Sequence, residues 1–140
     1  MIILCADHGG FELKNKIKQY LISKNVEVFD AGALEYDPED DYPDYAIKAS
    51  QKVLENNENK GIFICKSSIG VCMVANRFKG IRAASAQTVS DAQMARRHED
   101  ANVLCLGANI TPYENAIEIA EKFLQTAFEG GRHLKRISKF

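Results

Sequence analysis

The sequence predicts an α/β sandwich built on a parallel sheet, and two observations carry that expectation. Five short apolar runs rich in Val and Ile, at 2–6, 26–30, 61–65, 81–85 and 103–106, read as buried strands. Between them lie longer segments whose apolar residues recur at helical spacing. Strands that alternate with helices pair in parallel through right-handed crossovers, with helices covering both faces. The expected architecture is therefore a Rossmann-like three-layer sandwich with a five-stranded parallel sheet.

Residues 2–6, Ile-Ile-Leu-Cys-Ala, form a first strand that runs directly into Asp7-His8-Gly9-Gly10. The first helix follows, with Leu13, Ile17 and Leu21 in one stripe and Glu12, Lys14, Lys16 and Lys18 outside it. After the second strand comes the one long loop, 32–42. It carries Glu35, Asp37, Glu39, Asp40 and Asp41, with Pro38 and Pro43 fixing its turns. Its carboxylates do not follow calcium-loop spacing, so the loop is expected to be solvated. Helices are expected over about 45–55, 69–76, 90–98 and 114–127, each following a strand or loop in turn. No linker, repeat or low-complexity tract interrupts residues 1–140, which read as a single domain.

Composition narrows the function. Eighteen basic residues against nineteen acidic ones leave no basic block before the C-terminal tail, which argues against nucleic-acid or membrane-surface partners. Small molecules or proteins are the expected ligands. Cys5, Cys65, Cys72 and Cys105 form no C-x-x-C pair, and a reducing, cytoplasmic setting fits them. Neither a signal-peptide core nor a bilayer-spanning stretch is expected.

In a parallel α/β sheet, ligands bind beyond the carboxyl ends of the strands. Two sets of residues are expected there: Asp7-His8-Gly9-Gly10 after the first strand and Cys65-Lys66-Ser67-Ser68 after the third. Cys65 is the leading candidate for chemistry, because a helix N-terminus and a neighbouring Lys66 both favour a thiolate. Each residue also has a plain structural reading. Asp7 can cap the first helix, His8 can be an ordinary loop histidine, and Ser67-Ser68 can be a helix N-cap. Cys5, Cys72 and Cys105 read as core, and Arg96 and Arg97 as a solvated helix face. The three histidines show no H-x-x-H or H-x₃-H spacing, so no metal site is expected, and Gly9-Gly10 does not complete a dinucleotide fingerprint.

The ordered motifs along the chain then resemble a known family, ribose-5-phosphate isomerase B with its galactose-6-phosphate isomerase relatives. The matches are Asp7-His8-Gly9-Gly10-Phe11-Glu12-Leu13-Lys14, Asp41-Tyr42-Pro43-Asp44, Ile64-Cys65, Ile69-Gly70, Ala75-Asn76 and Gly80-Ile81-Arg82-Ala83-Ala84. They continue through His98, Asp100-Ala101-Asn102-Val103-Leu104, Leu106-Gly107-Ala108 and Phe128-Glu129-Gly130-Gly131-Arg132-His133 with Arg136. The resemblance implies a cofactor-independent aldose-ketose isomerase that converts ribose 5-phosphate and ribulose 5-phosphate through an enediolate. It implies Cys65 as the base, His98 as the ring-opening acid with Asp7 opposing it, and Ser67 with the backbone N–H groups of 66–70 as the anion hole. Lys66, Ser68, Ile69 and Gly70 belong to that segment. His8, Arg132 and Arg136 match phosphate and sugar contacts, and Tyr42 lines the same pocket. Active sites shared within a homodimer or tetramer follow from the resemblance, with an arm from about residue 128 contacting the partner.

Independently, the helix ending at His98 should run antiparallel to the strands. His98 then lies at the sheet edge opposite Asp7 and Cys65, and a second subunit must donate it. Several positions depart from the family pattern. Lys66 and Ser68 stand where it has glycines, Glu99 where a sugar-binding Asn is usual, and Asn109 where an Arg grips phosphate. Ala86-Gln87-Thr88 stands where the family has Cys-His-Asp. These departures keep two alternatives open: an isomerase of another sugar phosphate, such as galactose 6-phosphate or allose 6-phosphate, and a non-catalytic sugar-phosphate-binding paralogue.

Overall fold

All five expected strands form, and every pairing between them is parallel. The computed structural model describes all residues, Met1–Phe140. In chain order the elements are β1 (Ile2–Ala6), α1 (Phe11–Ser23), β2 (Val28–Asp30), α2 (Tyr42–Leu54), β3 (Lys60–Cys65) and α3 (Ile69–Ala75). They continue with β4 (Ala83–Ser85), α4 (Val89–Glu99), β5 (Val103–Gly107), α5 (Tyr113–Gln125) and α6 (Arg132–Ile137). The strand order is β2-β1-β3-β5-β4. No helix is long and apolar enough to cross a membrane.

Strand alternation divides the core in two. Ile2, Leu4, Ala6, Ile62, Ile64, Leu104 and Leu106 face α1, α4 and α5, meeting Ile17, Leu21, Ala92, Ile119 and Phe123. Ile3, Cys5, Phe63, Cys65, Val103 and Cys105 face α2 and α3, meeting Ala49, Val53, Val71 and Ala75. Buried on both faces, the three central strands read as unbroken apolar runs. At roughly 1.5–3 kcal/mol for each large side chain removed from water, these two layers supply most of the driving force for folding.

Several boundaries and burials differ from the sequence reading, for physical reasons. α2 begins at Tyr42 because Asp41 is extended and Pro43 fits the first helical turn. β2 and β4 are each cut to three residues at the sheet edges, where pairing comes from one side only. The arm after residue 128 contains α6, which was not anticipated. Cys72 is half-buried on α3 rather than core, and its thiol donates to the Ala83 carbonyl at 3.4 Å. Arg96 is buried, not solvated: it donates to Asp100 at 2.8 Å and to the carbonyls of Ala101 and Thr126, closing the turn into β5. Arg97 is exposed as expected and pairs with Glu129.

Lys14 is the largest departure. Placed outside the apolar stripe by the sequence, it is 0% exposed and donates to both Asp30 oxygens, at 2.7 and 2.9 Å, and to the Ala33 carbonyl. Lys18 adds a third contact to Asp30 at 2.9 Å. Burial alone would raise the Asp30 pKa, but the Lys14 and Lys18 ammonium groups outweigh it and hold the carboxyl below its usual range. This cluster ties α1 to the end of β2 and to the loop that follows. Lys14→Met should cost about 3–5 kcal/mol in a urea melt, because Asp30 would stay buried with a weaker partner. Asp30 has a depressed folded pKa, so its contribution is present above the unfolded value of about 3.9. That contribution is lost as pH falls through the lower folded value, and Lys14→Met should flatten this acid limb of the stability profile.

Candidate active site

β1 and β3 are neighbours whose connections leave toward opposite sides of the sheet, β1 to the edge strand β2 and β3 across β5 to β4. Such a switch point opens a crevice at the carboxyl ends of the two strands. Ala6 pairs with Ile64, so Asp7 and Cys65 emerge side by side. A cavity of about 230 Å³ there is lined by Asp7, His8, Tyr42, Cys65, Lys66, Ser67 and Gly70. The expected convergence of thiol, carboxylate, imidazole and hydroxyl is what the structure shows.

Each side chain has an identifiable cause for its position. Asp7 is buried, and its Oδ1 accepts from the N–H groups of Gly9 at 3.0 Å and Gly10 at 3.3 Å, organising the turn into α1. Gly10 permits that turn to approach β3, since a Cβ there would stand 2.8 Å from the Ile64 carbonyl oxygen. The Lys66 side chain lies across Gly9, where a Cβ would meet its Cγ at 2.5 Å, and the residue lines this crevice. Tyr42 brings its ring from the start of α2 onto Gly70, where a Cβ would stand 2.6 Å from that ring. Cys65 is buried at the end of β3.

The serine pair does not cap α3 as expected. Ser68 holds the N-cap position in the left-handed region, φ +68°, and its hydroxyl bonds Ser85 Oγ at 2.6 Å instead of a helix N–H. Left-handed backbone is where a glycine would sit without strain. Ser67 Oγ accepts only a long 3.4 Å bond from the Ile69 N–H. The N–H groups of Ser67, Ser68 and Gly70 make no hydrogen bond within the protein, and of these residues Ser67 and Gly70 line the cavity. Ile69 is exposed at its edge.

His8 is held by a residue the sequence reading missed. Asp40 Oδ1 accepts from both the His8 backbone N–H at 2.8 Å and Nδ1 at 2.7 Å. The Asp40 side chain is only 5% exposed, so this part of the acidic loop is not solvated. The Asp40 hydrogen bond pushes the His8 pKa up. Beyond His8 a second hollow of about 380 Å³ is lined by Glu12, Lys16, Asn109, Thr111 and Tyr113.

The remaining candidates lie elsewhere. α4 runs back from the carboxyl edge and ends at Glu99, just before β5 starts, while Cys65 pairs with Gly107 at the far end of β5. The strand alone separates the two edges by roughly 13 Å. His98 therefore sits across the sheet from Cys65, stacked on His133 with centroids 4.4 Å apart and planes 8° apart. Glu129 lies 3.6 Å from His98 and 3.7 Å from His133. Arg97 beside Glu129 lowers its pKa, and burial lowers that of His133. Glu99, Arg132 and Arg136 are exposed in the same region, and neither arginine has a carboxylate partner.

Two groups bring possible metal-ligand atoms within 4.8 Å of one another, His98 with Glu129 and His133, and Asp7 with His8 and Asp40. In the first the rings lie parallel, so their lone pairs do not converge on one ion; in the second His8 Nδ1 and Asp7 Oδ1 are already engaged by hydrogen bonds. Cys72 carries the one thiol whose pKa is drawn down, to about 7, by a hydrogen bond from Cys105.

A switch-point crevice lined by Cys65, Asp7, His8 and Lys66 marks a three-layer α/β protein with a candidate small-molecule site. Residues 2–140 match the family model described as Ribose/Galactose Isomerase, and the chain belongs to that family. It is 46% identical over 138 residues to the probable ribose-5-phosphate isomerase B of Mycoplasma pneumoniae, covering 99% of this chain and 91% of that protein. The ribose-5-phosphate isomerase B of Escherichia coli is 38% identical, with 94% of this chain and 87% of that one covered. The Mycoplasma genitalium enzyme crystallised with bound ribulose-5-phosphate superposes with a TM-score of 0.96 at 42% identity, over 99% of this chain and 91% of that one.

Gly10→Ala should destabilise the protein by about 1–3 kcal/mol in a thermal or urea melt, because its Cβ would meet backbone as well as the Ile64 side chain. Wild-type stability in that variant would contradict the close approach of α1 to β3.

Proposed function

We propose that this chain interconverts ribose 5-phosphate and ribulose 5-phosphate through an enediolate. The observation that carries the reading is the placement of Cys65 beside Asp7 and Lys66 in the switch-point cavity of an isomerase-family fold. Moving a proton between C1 and C2 needs a base, stabilisation of the oxyanion formed between, and a group that opens the sugar ring. Cys65 is the base in this reading. In this reading the unbonded N–H groups of the cavity-lining Ser67 and Gly70, with the Ser67 hydroxyl, are the donors for the enediolate oxygen. Lys66 supplies positive charge at the same mouth, and Asp7 takes the proton of a sugar hydroxyl. His8 binds the phosphate end.

His98 opens the ring, and in this reading it comes from a second copy of the chain, because it lies at the wrong edge to serve its own Cys65. Arg132 and Arg136, exposed one turn apart on α6, come with it and bind phosphate as charge-assisted donors. Ile69 and Met73, 61% and 67% exposed on the same face of α3 beside the cavity, support burial of this edge in a homodimer.

Purified protein should convert ribose 5-phosphate to ribulose 5-phosphate, and Cys65→Ala should lose at least about 10²-fold in kcat. Hexose 6-phosphates in the same assay distinguish a different sugar substrate, and binding without turnover of any of them would identify a non-catalytic paralogue. Mixing Cys65→Ala with His98→Ala chains should restore activity through hybrid sites; no recovery after proven subunit exchange would overturn the shared site.

A further inference from the structure

The contact between Asp40 and His8 joins residues 32 positions apart and places a buried carboxylate directly behind a cavity-lining imidazole. Asp40 Oδ1 accepts twice from the same residue, and Oδ2 is buried with no partner. A carboxylate removed from water needs a cation beside it, and a neutral imidazole would leave this one uncompensated. A donor at Nδ1 also fixes the ring, so that Nε2 is the nitrogen left for a ligand.

The surroundings of His8 decide what charge that ring carries. Asp7 and Asp40 favour the cation, and Lys66 opposes it; Glu12 and Lys16 from α1 line the adjoining hollow with opposite signs. The other titratable groups near the ring are Cys65 and the phenols of Tyr36, Tyr42 and Tyr113. Tyr45, whose pKa burial and then Asp40 push up, stays neutral behind the carboxylate. Asp40 is thus the group that tips the balance, and the upward shift of the His8 pKa has its hydrogen bond as the largest cause.

We propose that Asp40 is a positioning residue that holds His8 as a fixed imidazolium, aiming Nε2–H at the phosphate of the sugar phosphate bound in the Cys65 crevice. The proposal rests on the isomerase reading for its substrate, but the Asp40–His8 contact itself does not. A phosphate dianion gains from a pre-oriented cation whose ring need not be ordered on binding. It also makes affinity depend on pH, because the cation is present below the His8 pKa and lost above it.

Asp40→Asn is the informative variant, since the amide oxygen can still accept from His8 while the charge is gone. With only three histidines in the chain, the ring protons of His8 can be followed by NMR across pH. In the wild type His8 should titrate above the ordinary histidine value of about 6.5, and in Asp40→Asn its midpoint should move down. At a pH between the His8 midpoints of the two proteins, as NMR gives them, the KM for ribose 5-phosphate and the Kd for inorganic phosphate should both rise about tenfold in Asp40→Asn, the scale of one weakened charge-assisted hydrogen bond. The fall in kcat should be smaller, and the difference in Kd should shrink as pH falls below both midpoints. A loss of kcat and thermal stability with unchanged KM and phosphate affinity would make Asp40 merely structural and overturn the proposal. So would a wild-type His8 that titrates at or below the ordinary value, a result that holds even if the variant does not fold. Absence of isomerisation with the His8 shift and phosphate affinity intact would instead refute the isomerase reading alone.

Discussion

Ala6 lies opposite Ile64 across the β1–β3 ladder, and that register is what the site depends on. A slip by one residue would turn Ile2, Leu4 and Ala6 out of one core layer and into the other. Two-sided burial of the central strands forbids the slip. Because the register is fixed by the core, Asp7 and Cys65 leave their strands together, and the crevice between them needs no further device to assemble. The close approach of Gly10 to Ile64 then sets where α1 begins, and Asp7 closes the turn between.

A second group of contacts positions what surrounds the crevice. Lys14 and Asp30 bind α1 to the end of β2 and to the Ala33 carbonyl at the start of the acidic loop. That loop delivers Asp40 to His8 before Asp41 and Pro43 start α2 and bring Tyr42 over Gly70. At the opposite edge, Arg96 and Asp100 close the turn that leads from His98 into β5, and Glu129 joins α4 to the segment before α6. One edge thus carries the Cys65–Asp7 crevice, and the other carries an imidazole and two unpaired arginines. The geometry of a single copy leaves these halves on opposite edges of the sheet, which is the ground for the proposed pairing of two copies.

The apolar runs made the strands legible, and strand alternation with helices made the parallel sheet legible. Cys65 and Asp7 could be read as neighbours because residues after parallel strands share one edge. Burial of long cationic side chains could not be read: Lys14 and Arg96 differ from solvated neighbours only in finding a carboxylate far along or near the chain. Asp40 was hidden among five acids, and no spacing rule chooses the one that meets a histidine 32 residues away. α6 follows two glycines in positive-φ backbone and leaves Leu134 exposed, so it has no apolar stripe to announce it. The departure of Ser68 from glycine is the opposite case. The structure shows why a glycine suits the position, and shows the Ser85 hydrogen bond that accompanies serine there.

In the proposed mechanism Cys65 moves a carbon-bound proton by way of an enediolate. Running the reaction in D₂O and following the sugar phosphate by proton NMR tests it most directly. Solvent deuterium should enter C1 or C2 of the equilibrating sugars with wild-type protein, with no detectable incorporation by Cys65→Ala. Isomerisation without any deuterium uptake, or equal uptake in the Cys65→Ala protein, would contradict it.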